Sequence, residues 1–168
     1  MIPAFNEARI IENTLRSVLR YFGNVVVVDD CSSDATGTIA QRCGAHVCRH
    51  PTNLGQGAAL QTGIDYALQR DAKAIVTFDA DGQHQPADAL GMIDVLDRER
   101  CDVVLASRFR GMTEGMSASR AFVLKVAVWY TRLTTGLMLT DTHNGLRVLS
   151  RSAAERLRIR QNRMAHAS

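Results

Sequence analysis

Short apolar runs alternate with stretches of helical periodicity along most of the chain. The run NVVVVDD is β-branched and continuously apolar, which is typical of a strand buried on both faces of a parallel sheet. Within residues 8–21, by contrast, Ile11, Leu15 and Val18 recur at helical spacing. This alternation predicts an α/β fold in which helices flank a mostly parallel sheet.

The same pattern gives approximate bounds for the other elements. Strands are predicted in the segments IPAFNE, AHVCRH, KAIVTFDADG and CDVVLASRF. Helices are predicted over residues 8–21, about 58–70 and 87–98, and another begins near the N-cap candidates Ser32, Ser33 and Asp34. Since the sequence shows no internal repeat and no low-complexity segment, we expect one α/β domain over residues 1–168.

Polar side chains gather where the predicted strands end. They are Asn6 and Glu7, Asp29 and Asp30, Asp79 and Asp81, and Ser107 and Arg108. Ligands of open α/β sheets bind beyond the carboxyl ends of the strands. Four consecutive strand ends with polar groups therefore indicate a functional site at the carboxyl edge of the sheet.

The segment TFDADGQHQP offers a set of hard oxygen ligands. Asp79 and Asp81 alternate at a strand end, so both can face one point if the chain turns at Gly82. Two carboxylates with the amide oxygen of Gln83 suit Mg²⁺ or Mn²⁺, and such a cation could bridge a diphosphate. The alternative is a polar turn with a helix N-cap, for which one aspartate would suffice.

Two further motifs allow more than one interpretation. Asp29 and Asp30 could cap the next helix, or they could bind a base imide and ribose hydroxyls. In NLGQGAALQTG, Gly55 and Gly57 suggest a dinucleotide fingerprint, but Leu60 stands where the third glycine belongs. A tight turn or a close backbone approach is the use we expect for these glycines.

The second half of the chain is basic. Arg108 follows a strand, and Arg120 opens an amphipathic segment, residues 120–139, that carries Lys125, Trp129 and Arg132. This segment suits either a lipid headgroup layer or packing against the sheet or a partner, and the sequence favours neither. A basic half fits phosphate or anionic lipid better than nucleic acid, for which no motif occurs, although a solvated basic face is the alternative.

Composition limits the class of protein. The 168 residues are 46% hydrophobic and 22% charged with a formal charge of +3, which is ordinary for a globular protein and not for a disordered one. The four cysteines form no C-x-x-C pair, so we expect reduced thiols and no zinc site. No run of 18 uncharged apolar residues occurs, and therefore no span of a bilayer is predicted.

The two ends of the sequence and its histidines give two further expectations. The chain begins where a strand is already ending and stops without a terminating signal, so we expect it to be truncated at both ends. The histidines are scattered, and we expect surface or packing roles for His46 and His50. His84 stands out by its position beside the acid pair, but no chemistry requires it.

Six motifs occur in order and carry a resemblance: IPAFNE, VVDDCSSDAT, NLGQGAAL, FDADGQHQP, ASRF and DTHNGLRVLSR. Together they resemble the family 2 glycosyltransferases of GT-A fold, a Rossmann-like architecture, in the branch of dolichyl- and polyprenyl-phosphate sugar synthases. The resemblance covers nearly the whole chain. It implies metal-assisted, inverting transfer of a sugar from a UDP or GDP donor to a lipid phosphate.

The resemblance also implies roles for individual residues. Asp81, Arg108 and Asp141 are the implied catalytic residues, and Asp141 would act as a base only for a hydroxyl acceptor, because a lipid phosphate is already anionic. Many relatives have lysine where Gln56 stands, so one phosphate contact differs here. The other implied roles are the nucleotide pocket (Pro3, Ala4, Phe5, Glu7), base and ribose (Asp29, Asp30), the divalent cation (Asp79, Asp81, Gln83) and phosphate oxygens (Arg108, Arg120).

From this resemblance we expect a cytoplasmic protein, peripheral to the inner face of the membrane, with no nucleic-acid partner. Two alternatives stay open. A non-catalytic module of the same fold would bind a nucleotide sugar or lipid without turnover. A signalling receiver domain also uses an early acid pair, a later aspartate and a serine, here Asp79 and Ser107, but it needs a lysine at its final strand, and Lys125 lies in a helical run instead.

Overall fold

A computed structural model describes residues 1–82, 84–106 and 145–162 of the chain. These ranges contain six strands and five helices in an alternating order. The strands are β1 (Ile2–Ala4), β2 (Val26–Asp29), β3 (His46–Arg49), β4 (Ala74–Thr77), β5 (Val103–Leu105) and β6 (Arg147–Ser150). The helices are α1 (Ile11–Val18), α2 (Thr36–Arg42), α3 (Gln56–Leu68), α4 (Pro86–Arg98) and α5 (Arg151–Arg156).

The strands form two three-stranded sheets that are joined by hydrogen bonds at Met1. In the first, β1, β2 and β3 are parallel and in that order, and in the second β6 lies between β4 and β5 and is antiparallel to both. The Met1 nitrogen donates to the Val76 carbonyl at 2.6 Å, and the Phe78 N–H donates to the Met1 carbonyl at 3.0 Å. These two bonds are the pattern of a parallel bridge, so the order across the sheet is β3-β2-β1-β4-β6-β5.

Strand β2 lies at the centre of the larger hydrophobic core. Val27 and Val28 are fully buried, as continuous β-branched runs in covered sheets are expected to be. Helix α1 packs on this core through Ile11 and Leu15, which lie on its apolar face. The outer strands β3 and β5 are more exposed than β2. The predicted α/β fold with a mostly parallel, helix-flanked sheet is confirmed.

Some local predictions need correction. Strand β6 and helix α5 were not predicted, because RVLS offers only two apolar residues and pairing partners cannot be read from so short a run. The N-cap of α2 is Ala35, one residue beyond the predicted candidates Ser32, Ser33 and Asp34, although Asp34 Oδ1 accepts from the Thr36 N–H at the start of the helix at 3.0 Å. The antiparallel β6 also removes the receiver alternative, since that fold has the order 2-1-3-4-5.

Several predicted residues lie outside the described ranges. They are Gln83, Ser107, Arg108, Arg120, Asp141 and the amphipathic segment 120–139. Their predicted roles therefore stay predictions. Among the helices of residues 1–82, 84–106 and 145–162, none has the length and apolar character needed to cross a membrane.

Candidate active site

The carboxyl ends of β1, β2 and β4 meet around one cavity of about 380 Å³. Among the predicted site residues that the structure describes, Asp29 is absent from its lining and the others are present. The lining residues are Pro3, Ala4, Phe5, Glu7, Asp30, Asn53, Gly55, Gln56, Ala59, Asp79, Ala80 and Asp81. Side chains from four separate sequence segments thus converge at the predicted edge of the sheet.

A larger cavity of about 510 Å³ lies at the opposite, amino end of the strands. Its lining includes Tyr21, Tyr66 and Arg70 but none of the acid pairs. Volume alone would favour this cavity as the binding site. Ligands of open α/β sheets bind at the carboxyl edge, however, and the smaller cavity holds the converging carboxylates there. We therefore assign the candidate active site to the smaller cavity.

Hydrogen bonds from the loop after β2 shape the loop after β1. The Ser32 hydroxyl accepts from the Asn6 N–H at 3.0 Å, and the Thr36 hydroxyl accepts from the Glu7 N–H at 2.8 Å. Asn6 has a φ of 57°, in the left-handed region that asparagine tolerates better than most residues. Ser32, a predicted cap candidate, and Thr36 of α2 therefore hold Phe5 and Glu7 at the rim of the cavity.

Glu7 experiences the charge of the neighbouring acids. Burial raises the pKa of Glu7, and the negative charges of Asp81 and Asp34 raise it further. A carboxylate whose neighbours oppose its ionisation lies in a field that favours positive charge. The charge of Asp81 thus adds to a field beside Glu7 that favours positive charge.

The loop after β4 carries Asp79 and Asp81 on one side of the chain, and both line the cavity. Gly82 has a φ of 71°, which is the turn that the sequence predicted. The Thr14 hydroxyl of α1 donates to the Ala80 carbonyl at 2.8 Å and so links this loop to α1. Both acids therefore line a single cavity, and their role as metal ligands stays a prediction.

Asp79 lies in a close-packed setting. His84 Nε2 lies 3.5 Å from Asp79 Oδ2, and the His84 ring meets Phe78 edge-on with 5.8 Å between the ring centres. Gly145, from the segment just before β6, approaches so closely that a Cβ there would collide with the Asp79 carboxyl group. The glycine of the DTHNGLR motif thus leaves the space that Asp79 occupies.

Two carboxylates do not complete the coordination sphere of a metal ion. Within the described ranges no group of three or more His, Cys, Asp or Glu side chains could hold a metal ion. The donor set of Asp79 and Asp81 is nevertheless the kind that Mg²⁺ and Mn²⁺ accept, and these ions often take their remaining ligands from phosphate and water. The residues present fit a cation that arrives together with a phosphate ligand.

The adjacent acids Asp29 and Asp30 point to different surroundings. Neighbouring residues on a strand face opposite sides, so only one of the two can face the cavity. Asp29 is 1% exposed, and its Oδ1 accepts from the Ser32 N–H at 2.8 Å. No hydrogen-bond donor of the described chain reaches Asp29 Oδ2, and Arg49 Nε lies 3.6 Å from it. The structure thus brings Asp30, but not Asp29, to the cavity wall.

Asp30 is bound by three donors. Its Oδ1 lies 2.7 Å from His50 Nδ1 and accepts from the Leu54 N–H at 2.9 Å, while its Oδ2 accepts from the Gly55 N–H at 2.7 Å. Burial by itself would raise the pKa of Asp30, but the bonds from His50 and the two backbone N–H groups outweigh it and lower that pKa. Asp30 is therefore held as an anion.

Sequence reasoning missed several contributors to the site. Asn53 and Ala59 line the cavity, and His50 and Thr14 support it from behind. Gly145 makes room for Asp79 from a distant part of the chain. Asn53 opens the NLGQG motif and His50 lies just before it, so that motif was the available signal, whereas Thr14 looks like any other polar residue of an amphipathic helix.

The chain matches known proteins along nearly all of its length. The family described as Glycosyl transferase family 2 matches residues 1–158. A UDP-N-acetylglucosamine–dolichyl-phosphate N-acetylglucosaminyltransferase of Methanococcus voltae is 30% identical, with 91% of this chain and 69% of that protein covered. A polyprenol monophosphomannose synthase of Mycolicibacterium smegmatis is also 30% identical, with 94% and 63% covered.

Solved structures resemble the fold as well. Glucosyl-3-phosphoglycerate synthase from Mycobacterium tuberculosis, in complex with Mn²⁺, UDP and glucosyl-3-phosphoglycerate, aligns with a TM-score of 0.70 at 21% identity. The alignment covers 90% of this chain and 55% of the synthase, so the chain spans about half of that protein and about two-thirds of the two curated relatives. The chain belongs to glycosyl transferase family 2, in the branch of the polyprenyl- and dolichyl-phosphate sugar transferases.

Proposed function

We propose that the 380 Å³ cavity binds a nucleoside-diphosphate sugar and that the chain, with whatever segments complete it, transfers the sugar to a polyprenyl or dolichyl phosphate. One observation carries this proposal: the segments after β1, β2 and β4 supply Phe5, Asp30 and the Asp79–Asp81 pair to a single cavity. Phe5 offers an apolar face for a base, Asp30 one further acceptor, and the acid pair a cation site.

Asp79 and Asp81 would hold a divalent cation in this scheme. The cation would neutralise the charge that develops on the departing diphosphate. Burial raises the pKa of Glu7 and the charge of Asp81 raises it further, and this second contribution supports the assignment, because a bound cation would offset it. Gln83 as a third ligand, and Arg108 and Arg120 as phosphate partners, are part of the same proposal.

The acceptor is proposed from chemistry and from the relatives. The relatives of M. voltae and M. smegmatis are named for dolichyl phosphate and polyprenol monophosphate sugar transfer. A lipid phosphate is anionic at neutral pH and attacks the sugar directly, with inversion, so no general base is needed. Asp141 would be needed as a base only for a hydroxyl acceptor. The basic second half suits a site at the membrane surface.

Two measurements test this function. The first is thermal unfolding with UDP- and GDP-linked sugars, each with and without Mn²⁺. We expect one donor to raise the melting temperature, with a larger rise when Mn²⁺ is present. The second is transfer of labelled sugar from that donor to polyprenyl phosphate in detergent.

Asp94→Asn is the matched control for Asp81→Asn in both measurements, because Asp94 is an exposed acid of α4 outside the cavity. Stabilisation by a donor without any transfer would instead identify a nucleotide-sugar-binding module. No stabilisation by any donor would contradict the proposal.

A further inference from the structure

His50 lies behind the cavity wall at a junction of three elements. It follows β3, and its N–H donates to the Asp29 carbonyl of β2 at 2.9 Å. Its ring is buried, with Nδ1 at 2.7 Å from Asp30 Oδ1 and Nε2 at 2.9 Å from the Thr62 hydroxyl of α3. One side chain therefore links the carboxyl end of β2 to the helix that borders the cavity.

The direction of the first bond follows from the charge of Asp30. An ionised carboxylate can only accept, so His50 Nδ1 must carry the proton and donate it. The three donors to Asp30 keep that carboxyl ionised. Nε2 lies in hydrogen-bond contact with the Thr62 hydroxyl, which supports the far end of the ring.

Asp30 in turn binds the loop that borders the cavity. Its remaining bonds are to the N–H groups of Leu54 and Gly55, in the loop that brings Asn53 and Gln56 to the cavity. Gly55 has a φ of 97°, a backbone conformation that few side chains tolerate, so this turn is held in one particular shape. The shape of the loop thus depends on the position of the Asp30 carboxylate.

We propose that His50 is a positioning residue for the nucleotide donor: through Asp30 it sets the loop from Asn53 to Gln56 against which the nucleotide binds. This inference rests on the proposed function, because the donor is taken to occupy the cavity. His50 itself does not line the cavity and is not a catalytic residue.

Two conservative substitutions of His50 each remove one of the two contacts of its ring. The amide nitrogen of asparagine can replace Nδ1, so His50→Asn keeps a donor to Asp30 and loses the Thr62 contact. The longer His50→Gln reaches toward Thr62 and loses the donor to Asp30. Thr62→Val removes the far contact alone, and His46→Gln is the matched control at an exposed histidine of β3.

The first readout is the dissociation constant of UDP and of GDP, each measured by calorimetry with Mn²⁺, for the full chain. For the diphosphate that the wild type binds, we expect His50→Ala and His50→Gln to weaken affinity by about tenfold, which is the loss of one bond to a charged group. We expect His50→Asn, Thr62→Val and His46→Gln to stay near the wild type. With a sugar donor, KM should rise in His50→Gln while kcat is unchanged.

The second readout is amide hydrogen exchange at Leu54 and Gly55, which should quicken in His50→Gln but not in His50→Asn. Equal affinity in the Asn and Gln variants, or affinities that simply follow melting temperature, would overturn the inference while leaving the proposed function in place. A wild-type chain that binds neither diphosphate would overturn both.

Discussion

The two acid pairs of this protein occupy similar places in the sequence but differ in their surroundings. Asp29 ends the buried strand β2 and Asp30 follows it, and both are almost fully buried, at 1% and 3% exposure. Asp79 and Asp81 also follow a buried strand, yet the Asp79 side chain is 30% exposed and Asp81 is exposed. The first pair is used largely inside the protein, where it orders two loops, whereas the second faces the cavity.

Spacing explains the difference. Adjacent residues of an extended chain point to opposite sides, and residues two apart point to the same side. Asp29 therefore turns inward to the Ser32 N–H when Asp30 faces the cavity wall. Asp79 and Asp81 can both reach the cavity. Here the D-D pair supplies one wall residue and one structural anchor, while both acids of the D-x-D pair line the cavity.

The largest expected effect comes from the exposed pair. Asp81→Asn removes one charge from the proposed cation site, so we expect sugar transfer to fall by about a hundredfold or more. Stability should hardly change, because Asp81 is exposed. Turnover and urea unfolding measure the two effects. Full activity in Asp81→Asn would show that the two acid pairs do not differ in the proposed way.

The buried pair should separate into two roles. Asp29→Ala removes the acceptor of the Ser32 N–H, so we expect the free energy of unfolding to fall by about 1–3 kcal/mol while the folded protein keeps its nucleotide affinity. Asp30→Ala should also be destabilising and should weaken nucleotide binding by about tenfold. Urea unfolding and calorimetry check both variants. Equal binding losses in the two would place Asp29 in the site as well.

Gly145 tests how closely the second pair is packed. A Cβ at position 145 would collide with the Asp79 carboxyl group, so we expect Gly145→Ala to displace Asp79. Stability should fall by about 1–3 kcal/mol, and the apparent affinity for Mn²⁺ with nucleotide should fall with it. At the control position Gly91, in α4, a Cβ meets no atom of the described chain within 4 Å.

Gly91→Ala should therefore leave Mn²⁺ binding unchanged. It should stabilise the protein by up to about 1 kcal/mol, since alanine is the better helix former. Thermal unfolding and Mn²⁺ titration of the two variants give the comparison. A Gly145→Ala protein with normal stability and metal affinity would show that Asp79 does not depend on this contact.

The smallest expected effect concerns Glu7. Its pKa is raised, so the folded state takes up a proton more readily than the unfolded state and ionisation of Glu7 opposes folding. This penalty is present above the folded-state pKa and disappears as the pH falls below about 4.3, the ordinary value. We expect Glu7→Gln to raise the melting temperature slightly at neutral pH and not at pH 4. Burial and Asp34 should keep part of this gain in an Asp81→Asn background, whereas an undiminished gain there would show that the charge of Asp81 is not involved.

Asp30 should show the opposite pH dependence. Its pKa is lowered, so its contribution to stability is complete above about 3.9 and is lost as the pH falls through the folded-state pKa. The stability difference between wild type and Asp30→Asn should therefore shrink in acid. Equilibrium unfolding between pH 3 and 7 measures it, and a constant difference would contradict the bonding described for Asp30.

Much of this arrangement could be predicted from local pattern. The run of valines in β2 and the turn at Gly82 depend on residues close together in sequence, and the D-x-D spacing together with that turn predicted two carboxylates at one cavity. Asp29 points into the protein because neighbouring residues of a strand face opposite sides. The sequence did not predict this orientation, because both acids stand beside candidate helix caps. The motif order also carried the family assignment, which residues 1–158 confirm.

Other features depend on contacts between distant segments and left no local signal. β6 pairs with β4 and β5 from beyond residue 144, and its four residues resemble a loop when viewed alone. Ser32 was a candidate helix cap because its hydroxyl suits any unpaired N–H, and only the fold shows that Asn6 supplies that N–H, as Glu7 does for Thr36. A surface or packing role is all that the sequence predicts for His50, because its contacts with Asp30 and Thr62 join residues that lie far apart in the sequence.

The most direct test of the account is Mn²⁺ binding followed by electron paramagnetic resonance, since free and bound Mn²⁺ give different signals. We predict that the wild type and Asp94→Asn bind one Mn²⁺ per chain when UDP or GDP is present. Asp81→Asn should lose that binding although it remains folded. Equal Mn²⁺ binding by the wild type and Asp81→Asn, or none by the wild type with either nucleotide, would contradict the claim that the exposed acid pair holds a cation for the donor diphosphate.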